Sequence, residues 1–392
     1  MEDSWLFRPL ELRGIRLKNR IMIAPMAMYS ATDGLVDDFH LVHLGRFALG
    51  GAGLVMMEAT AVSRDGRITP GCAGIWSDTH VASLRRISDF IRRFGAIPAI
   101  QLGHAGRKGA CERAWRGGAP LPEQAETVDA QRWPLVSSTG VPFEDYGQTP
   151  AQLDIDGINR VIDDFAHGAR RADAAGFDVL EIHSAHGYLL HCFLSPLVND
   201  RKDEWGGDLA GRMRFPLAVV RGVRDVWPQR KPLFVRISSV DGVGAGWSIE
   251  DSVIFARELK KIGVDVVDCS SGGMKLPRDA HLVARTEGFH VPFAAKIRRE
   301  AGIPTVAVGL IRRPAFAEQV LERGDADIVA LAREVLIDPN WANRAVSDRD
   351  SEAGWDYWPE QYAMWLRGRA RTFARAAREA EAVVSSRATG NV

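Results

Sequence analysis

The amino-acid sequence predicts an α/β protein built as a single (β/α)8 TIM barrel, and three observations carry that prediction. Eight short apolar runs rich in β-branched residues alternate with helix-period segments from about residue 20 to residue 340. The runs are almost continuously apolar, as strands of a parallel sheet covered on both faces must be. Eight repeats of one strand–helix unit favour a closed barrel over an open doubly wound sheet.

The runs occupy residues 20–25, 54–59, 97–102, 177–182, 233–237, 264–269, 304–308 and 327–331. Among the segments between them, Ile158, Ile162, Phe165, Ala169 and Ala172 recur at three-and-four spacing and mark one buried helix face. The helix after the fifth run opens on Ser248-x-x-Asp251, a capping-box pattern. It stops at Gly263, which can take the left-handed conformation that ends a helix. Ahead of the first strand, residues 5–20 read as a hairpin centred on Glu11 to Leu17, placed to plug the bottom of the barrel.

After the third strand, residues 109–150 are rich in Pro, Gly and isolated aromatics (Trp115, Trp133, Phe143, Tyr146). Loops without structure of their own rarely exceed roughly a dozen residues, so this one reads as a lid, an interface or a surface excursion. From residue 350 a Trp/Tyr-rich stretch leads into an Arg/Ala-rich helical pattern, and the polar end, 385–392, is expected to be disordered. One barrel domain over 1–384, loop and tail included, is the expected organisation.

Composition narrows the function. Lys+Arg and Asp+Glu both number 50, so the long-range field gives no reason to expect nucleic acid or an anionic membrane surface. A small uncharged or singly charged partner fits better. Cys72, Cys111, Cys192 and Cys269 are widely spaced and form no C-x-x-C pair, which argues against a disulfide framework, a zinc knuckle or an iron–sulfur cluster. The acidic start and the lack of a long apolar run point to a soluble cytoplasmic protein.

Barrel enzymes build their sites from the C-terminal ends of strands, so the polar residues following each run are the ones to inspect. Strand four runs into His183-Ser184-Ala185-His186-Gly187-Tyr188, strand three ends in Gln101-Leu102-Gly103-His104, strand five carries Arg236, and strand one ends in Met26-Ala27-Met28-Tyr29. Two imidazoles aimed at one point, with a tyrosine two residues beyond, can polarise a carbonyl oxygen and deliver a proton nearby. On residue type alone, hydrogen-bonded core histidines and metal ligands remain open, and His40-x-x-His43 offers a second pair.

The strand-seven end at Gly309, and Ala332 and Arg333 after strand eight, fall where barrels bind phosphate, with Arg333 as a surface salt-bridge partner the other reading. Gly242-x-Gly244-x-Gly246 is one residue short of a dinucleotide fingerprint, with Trp247 where the third glycine belongs.

With these positions in hand, the chain resembles the Old Yellow Enzyme family, in its thermophilic-like branch, from about residue 6 to residue 366. The resemblance is carried by Leu17-Lys18-Asn19-Arg20, Ala24-Pro25-Met26, Gln101-Leu102-Gly103-His104-Ala105-Gly106-Arg107-Lys108 and His183-Ser184-Ala185-His186-Gly187-Tyr188-Leu189. Phe193-Leu194-Ser195-Pro196 with Asn199, Asp203-Glu204-Trp205-Gly206-Gly207 and Ala332-Arg333-Glu334 add to it.

The resemblance implies bound FMN, NADPH or NADH as reductant, and reduction of an alkene activated by a carbonyl or nitro group. It implies that His183 and His186 hold the substrate oxygen, that Tyr188 donates the proton, and that Tyr29 lines the substrate side. Ala24, Pro25, Met26, Ala27 and Ala59 would lie against the flavin, Gln101 at its pyrimidine edge and Arg236 near N1. Gly309, Ala332 and Arg333 would take the phosphate.

The tail Gln361-Tyr362-Ala363-Met364-Trp365-Leu366 matches the branch, in which an aromatic reaches the active site and an arginine crosses a dimer interface. Trp365 is the aromatic expected there, Arg367 or Arg369 the arginine, and a dimer or tetramer the expected assembly.

One departure stands out: the branch's usual cysteine is Ala27 here, which implies a shifted flavin potential. A desaturase, a dearomatising reductase or a flavin monooxygenase on a larger substrate is the alternative within oxidoreductases. A non-catalytic flavin-binding protein is the alternative outside them.

Overall fold

The computed structural model describes residues 4–125, 131–144, 147–275, 283–349 and 353–389. In chain order the strands are β1 (Leu10–Leu12), β2 (Ile15–Leu17), β3 (Ile21–Ile23), β4 (Leu54–Ala61), β5 (Ile97–Gly103), β6 (Val136–Ser137), β7 (Ala151–Gln152), β8 (Val179–Ser184), β9 (Leu233–Ser238), β10 (Val266–Ser270), β11 (Thr305–Ala307) and β12 (Ile328–Leu331). The helices are α1 (Asp38–Leu49), α2 (Val81–Arg93), α3 (Ile155–Ala174), α4 (Leu189–Leu194), α5 (Leu209–Val226), α6 (Ile249–Ile262), α7 (Val291–Ala301), α8 (Pro314–Glu322), α9 (Arg333–Ile337), α10 (Trp341–Arg349) and α11 (Glu360–Thr389).

Strands β3, β4, β5, β8, β9, β10, β11 and β12 pair in parallel and close into a barrel, each of the eight expected runs supplying one strand. The core has two parts. Phe47, Phe165, Phe177, Phe215 and Phe255 pack between strands and outer helices, whereas Met22, Met56, Ala99, Phe234 and Val306 fill the inside. Leu12 and Leu17 of the hairpin belong to the inner cluster, so β1 and β2 do close the barrel from below. The hairpin turns at Arg13 (φ 49) and Gly14, where a Cβ would sit 3.0 Å from the Arg230 carbonyl oxygen.

The helix signals hold in detail. Ser248 caps α6 by accepting from the Asp251 amide, and Gly263 ends it at φ 99. On α3 the buried face runs through Ile158, Val161, Phe165, Ala169 and Ala172, with Ile162 half-buried against Gly222 of α5. No helix among the described residues is long and apolar enough to cross a membrane.

The fourth strand starts and ends two residues later than its apolar run. The ladder continues through His183 opposite Arg236 and Ser184 opposite Ile237, so His183 stands on the strand itself. Register, rather than hydrophobicity, sets that boundary.

Two irregular segments bear on the site. The long loop carries a short helical turn at Ala114–Arg116, and its β6 pairs in parallel with β7. Trp133 Nε1 donates to the Asp65 carbonyl, and Arg201 donates to the carbonyls of Ser138 and Leu153. Residues 126–130 and 145–146, Tyr146 included, lie outside the described residues. At the C-terminus, α11 packs mainly on the Ala353–Tyr357 turn. Of the end expected to be disordered, the backbone is helical to Thr389, and residues 390–392 lie outside the described residues.

Candidate active site

The cluster at the end of β8 begins with a turn that few residue types allow. His186 adopts φ 61 and Gly187 φ 76, and a Cβ on Gly187 would come within 2.2 Å of the Gly273 carbonyl oxygen. A left-handed non-glycine residue persists only where its surroundings hold it. Here the His186 amide donates to Ser238 Oγ at 2.9 Å, and the Gly187 amide donates to His191 Nδ1 at 2.9 Å. His191 Nε2 lies in turn 3.1 Å from Asp241 Oδ1, both side chains fully buried.

This frame sets the protons of the two imidazoles. His183 Nδ1 accepts from the Ala185 amide, so its hydrogen belongs on Nε2. His186 Nε2 is 2.7 Å from Ser270 Oγ; a serine hydroxyl donating there leaves the His186 hydrogen on Nδ1. His183 Nε2 and His186 Nδ1 are the two atoms that converge, 3.3 Å apart. Burial, and then the Arg236 charge, hold both imidazoles well below the usual histidine pKa, so they meet uncharged.

Tyr188 stands against the pair, its ring 5.0 Å from that of His183 and nearly perpendicular to it. Burial raises its phenol pKa, and the nearby Tyr29 adds to the effect. The phenol therefore keeps its proton at neutral pH. Ala59 lines the same small void as His183 and Tyr188.

The end of β3 is fixed by the Ala24 amide donating to the Leu331 carbonyl and by the Met28 amide donating to Glu58 Oε2. Pro25, Met26 and Ala27 lie between those anchors. Tyr29 has φ 49; its carbonyl accepts from Arg113 of the long loop, and its ring lies 6.0 Å from that of Trp115.

Inside the barrel mouth lies a polar layer. Gln101 Nε2 donates to Glu181 Oε1 at 2.7 Å, and Arg236 Nη1 lies 3.5 Å from Asp268 Oδ2. Burial, reinforced by Asp268, pushes the Glu181 carboxyl well above its ordinary value, whereas Arg236 offsets part of the burial effect on Asp268. Glu181 is thus the protonated member, and its hydrogen can satisfy an Asp268 oxygen that otherwise lacks a hydrogen bond. Arg236 Nε, buried and without a partner among the described residues, is left over.

A cavity of about 400 Å³ opens beside His186, lined by Ser270, Gly272, Gly273, Arg285, His290 and Arg333 among others. Arg285 and Arg333 have no ion-pair partner among the described residues. Gly309, at φ 118, packs on Phe289 and His290 at the cavity's edge, and Ala332 immediately precedes α9. Two guanidiniums without an ion-pair partner among the described residues, beside glycine backbone, suit a phosphate, and the Arg236 donor that has no partner among those residues suits a ring that becomes anionic. The residues present therefore fit FMN.

The structure brings together His183, His186, Tyr188 and Ala59, ties Gln101 and Arg236 to the polar layer beneath, and places Arg333 on the same cavity as His186. Trp365 stands apart, 73 % exposed on α11. Missed were Glu58, Glu181, Asp268, Ser270 and His191. For the acids a signal existed, since each is a carboxylate flanked on both sides by apolar residues within a strand.

A family model described as the NADH:flavin oxidoreductase / NADH oxidase family matches residues 5–352. An NADPH dehydrogenase of Geobacillus sp. (strain WCH70) is 42% identical over 348 residues, covering 88% of this chain and 95% of its own. That of Bacillus subtilis (strain 168) is 38% identical over 349 residues, covering 88% and 96%. Among solved structures, morphinone reductase superposes with a TM-score of 0.72 at 25% identity, over 88% of this chain and 89% of that one.

Proposed function

The chain belongs to the NADH:flavin oxidoreductase / NADH oxidase family and is an FMN-dependent NAD(P)H oxidoreductase of the Old Yellow Enzyme type; from that premise we propose that it reduces C=C bonds conjugated to a carbonyl or nitro group. The observation that carries this reading is the convergence of His183 Nε2 and His186 Nδ1, 3.3 Å apart, beside the Tyr188 ring.

When bound, FMN supplies hydride from its N5 atom after reduction by NADPH or NADH. The chain's own residues do the rest. His183 and His186 donate to the substrate oxygen and draw charge onto it, which makes the β-carbon electrophilic and stabilises the developing enolate. Both must be neutral and correctly protonated, and the Ala185 amide and Ser270 hydroxyl provide for that. Tyr188 gives its proton to the α-carbon, and the raised phenol pKa keeps that proton in place until the carbanion needs it. Tyr29 closes the substrate side under Trp115.

Ala24, Pro25, Met26, Ala27 and Ala59 would lie along the flavin, Gln101 at its pyrimidine edge and Arg236 near N1. Gly309, Ala332 and Arg333 would hold its phosphate. The exposure of Trp365 on α11 supports an assembly in which it and Arg367 or Arg369 meet a partner's site.

Steady-state turnover of 2-cyclohexenone with NADPH tests the reading. Enone-dependent NADPH oxidation with saturated ketone as product is expected. Flavin that is reduced by NADPH but not reoxidised by the enone would favour desaturation, dearomatisation or oxygen chemistry instead.

A further inference from the structure

Beyond Tyr188, on the side covered by the long loop, is a second cavity of about 380 Å³. Its apolar walls include Ile68, Leu135 and Phe143, and its polar lining includes Arg107, Lys108, Glu144 and Gln148. Neither cation has a carboxylate at ion-pair distance among the described residues; Glu144 has its nearest cation in Lys275, at 3.9 Å.

Arg107 is 6% exposed. Among the described residues it donates to the Val141 and Pro142 carbonyls, at 3.3 and 3.5 Å, and to Met274 Sδ at 3.9 Å, and its Nε has no partner. Lys108 Nζ donates to the carbonyls of His186 (2.9 Å) and Gly273 (3.2 Å). An ammonium has three hydrogens, so one remains, on an amine 4.5 Å from the Phe143 ring centre and 5.3 Å from that of Tyr188. The Gln148 side-chain oxygen is buried in the same lining with no partner; an amide turned end for end offers its N–H groups there instead.

Two desolvated cations held by carbonyls, a thioether and aromatic rings, with no carboxylate at ion-pair distance among the described residues, are costly to keep unless something negative completes them. We propose that this cavity is an anion subsite, in which Lys108 and Arg107 bind a carboxylate or phosphate carried by the ligand that sits over the flavin. Phe143, Leu135 and Ile68 would enclose its apolar body. The anion can belong to the alkene substrate or to the nicotinamide nucleotide, since both occupy the space next to Tyr188 in turn. The inference rests on the proposed ene-reduction for that placement.

Equilibrium binding to the oxidised, FMN-loaded full chain tests it without relying on turnover. Calorimetry would compare 4-carboxycinnamaldehyde with cinnamaldehyde, and nicotinamide mononucleotide with nicotinamide riboside. In at least one pair the anionic member is expected to bind about tenfold tighter or more, as a charge-assisted contact implies. That preference is expected to fall to near unity in Lys108→Met and to survive in Lys108→Arg, with the visible flavin spectrum reporting that each variant is folded and loaded.

A preference in the aldehyde pair assigns the anion to the substrate, and one in the nucleotide pair assigns it to the reductant. No preference in either pair, or one that Lys108→Met leaves intact, overturns the proposal. Tight anion binding without any cinnamaldehyde reduction would instead sink the ene-reductase reading and leave the subsite standing.

Discussion

His183 and His186 stand with their rings at 89° and their Nε2 and Nδ1 atoms 3.3 Å apart, an arrangement that two neutral imidazoles tolerate and two charged ones would not. The proton of the first ring is set by the Ala185 amide, and that of the second by Ser270 when its hydroxyl donates to Nε2.

Ser270 is therefore a positioning residue. Ser270→Ala frees His186 to move its hydrogen to Nε2, leaving Nδ1 to accept from His183 rather than donate to substrate. The KM for 2-cyclohexenone is expected to rise roughly three- to tenfold, about the worth of one hydrogen bond. An unchanged KM would show that His186 does not depend on this serine.

At the flavin edge proposed for it, Ala27 would offer no hydrogen-bond donor. Ala27→Cys is expected to shift the flavin potential and to make that potential sensitive to thiol alkylation. Potentiometric titration of both proteins checks this, and identical values would contradict it.

Asp268 balances the Arg236 charge across the barrel interior. In Asp268→Asn that balance is lost while shape is kept, so Arg236, at the place near N1 proposed for it, would act undiminished on the reduced, anionic flavin. The potential is expected to rise by about 30 mV or more, equivalent to about 1.4 kcal/mol for a two-electron couple. A fall, or no change, would mean that Arg236 is not the charge the flavin feels.

Buried neutral histidines also predict acid sensitivity. Burial lowers His43, His104 and His290 from 6.5 to about 4, and His183 and His186 lie well below 6.5. The unfolded chain binds these protons first, so stability is complete above about pH 6.5 and declines as the pH falls towards the folded values. At pH 5 each of the three near 4 costs roughly 2 kcal/mol. Melting temperatures measured between pH 8 and pH 5 should be flat and then fall; a maximum near pH 5 would contradict the assignment.

What could be read from the sequence follows from what a sequence records. Strand and helix periods report burial, so the eight strands, the α6 caps and the hairpin plug were all legible, and the motif at 183–188 pointed to the end of β8 where the candidate site is proposed. Proton placement was not legible, because it depends on Ser270 and the Ala185 amide reaching the rings in space. Nor was the polar layer, since Glu181 and Asp268 lie far apart in sequence and meet only when β8, β9 and β10 align. The long loop hid most: nothing in its composition says that Trp115 lands on Tyr29 or that Phe143 covers Lys108.

The central claim is that Tyr188 supplies the proton while His183 and His186 hold the oxygen. Its most direct test is anaerobic stopped-flow reoxidation of the NADPH-reduced enzyme by 2-cyclohexenone, comparing wild type with FMN-loaded Tyr188→Phe. The reoxidation rate is expected to fall by about 10²- to 10⁴-fold in the variant; reoxidation at the wild-type rate, with saturated ketone formed, would contradict the account.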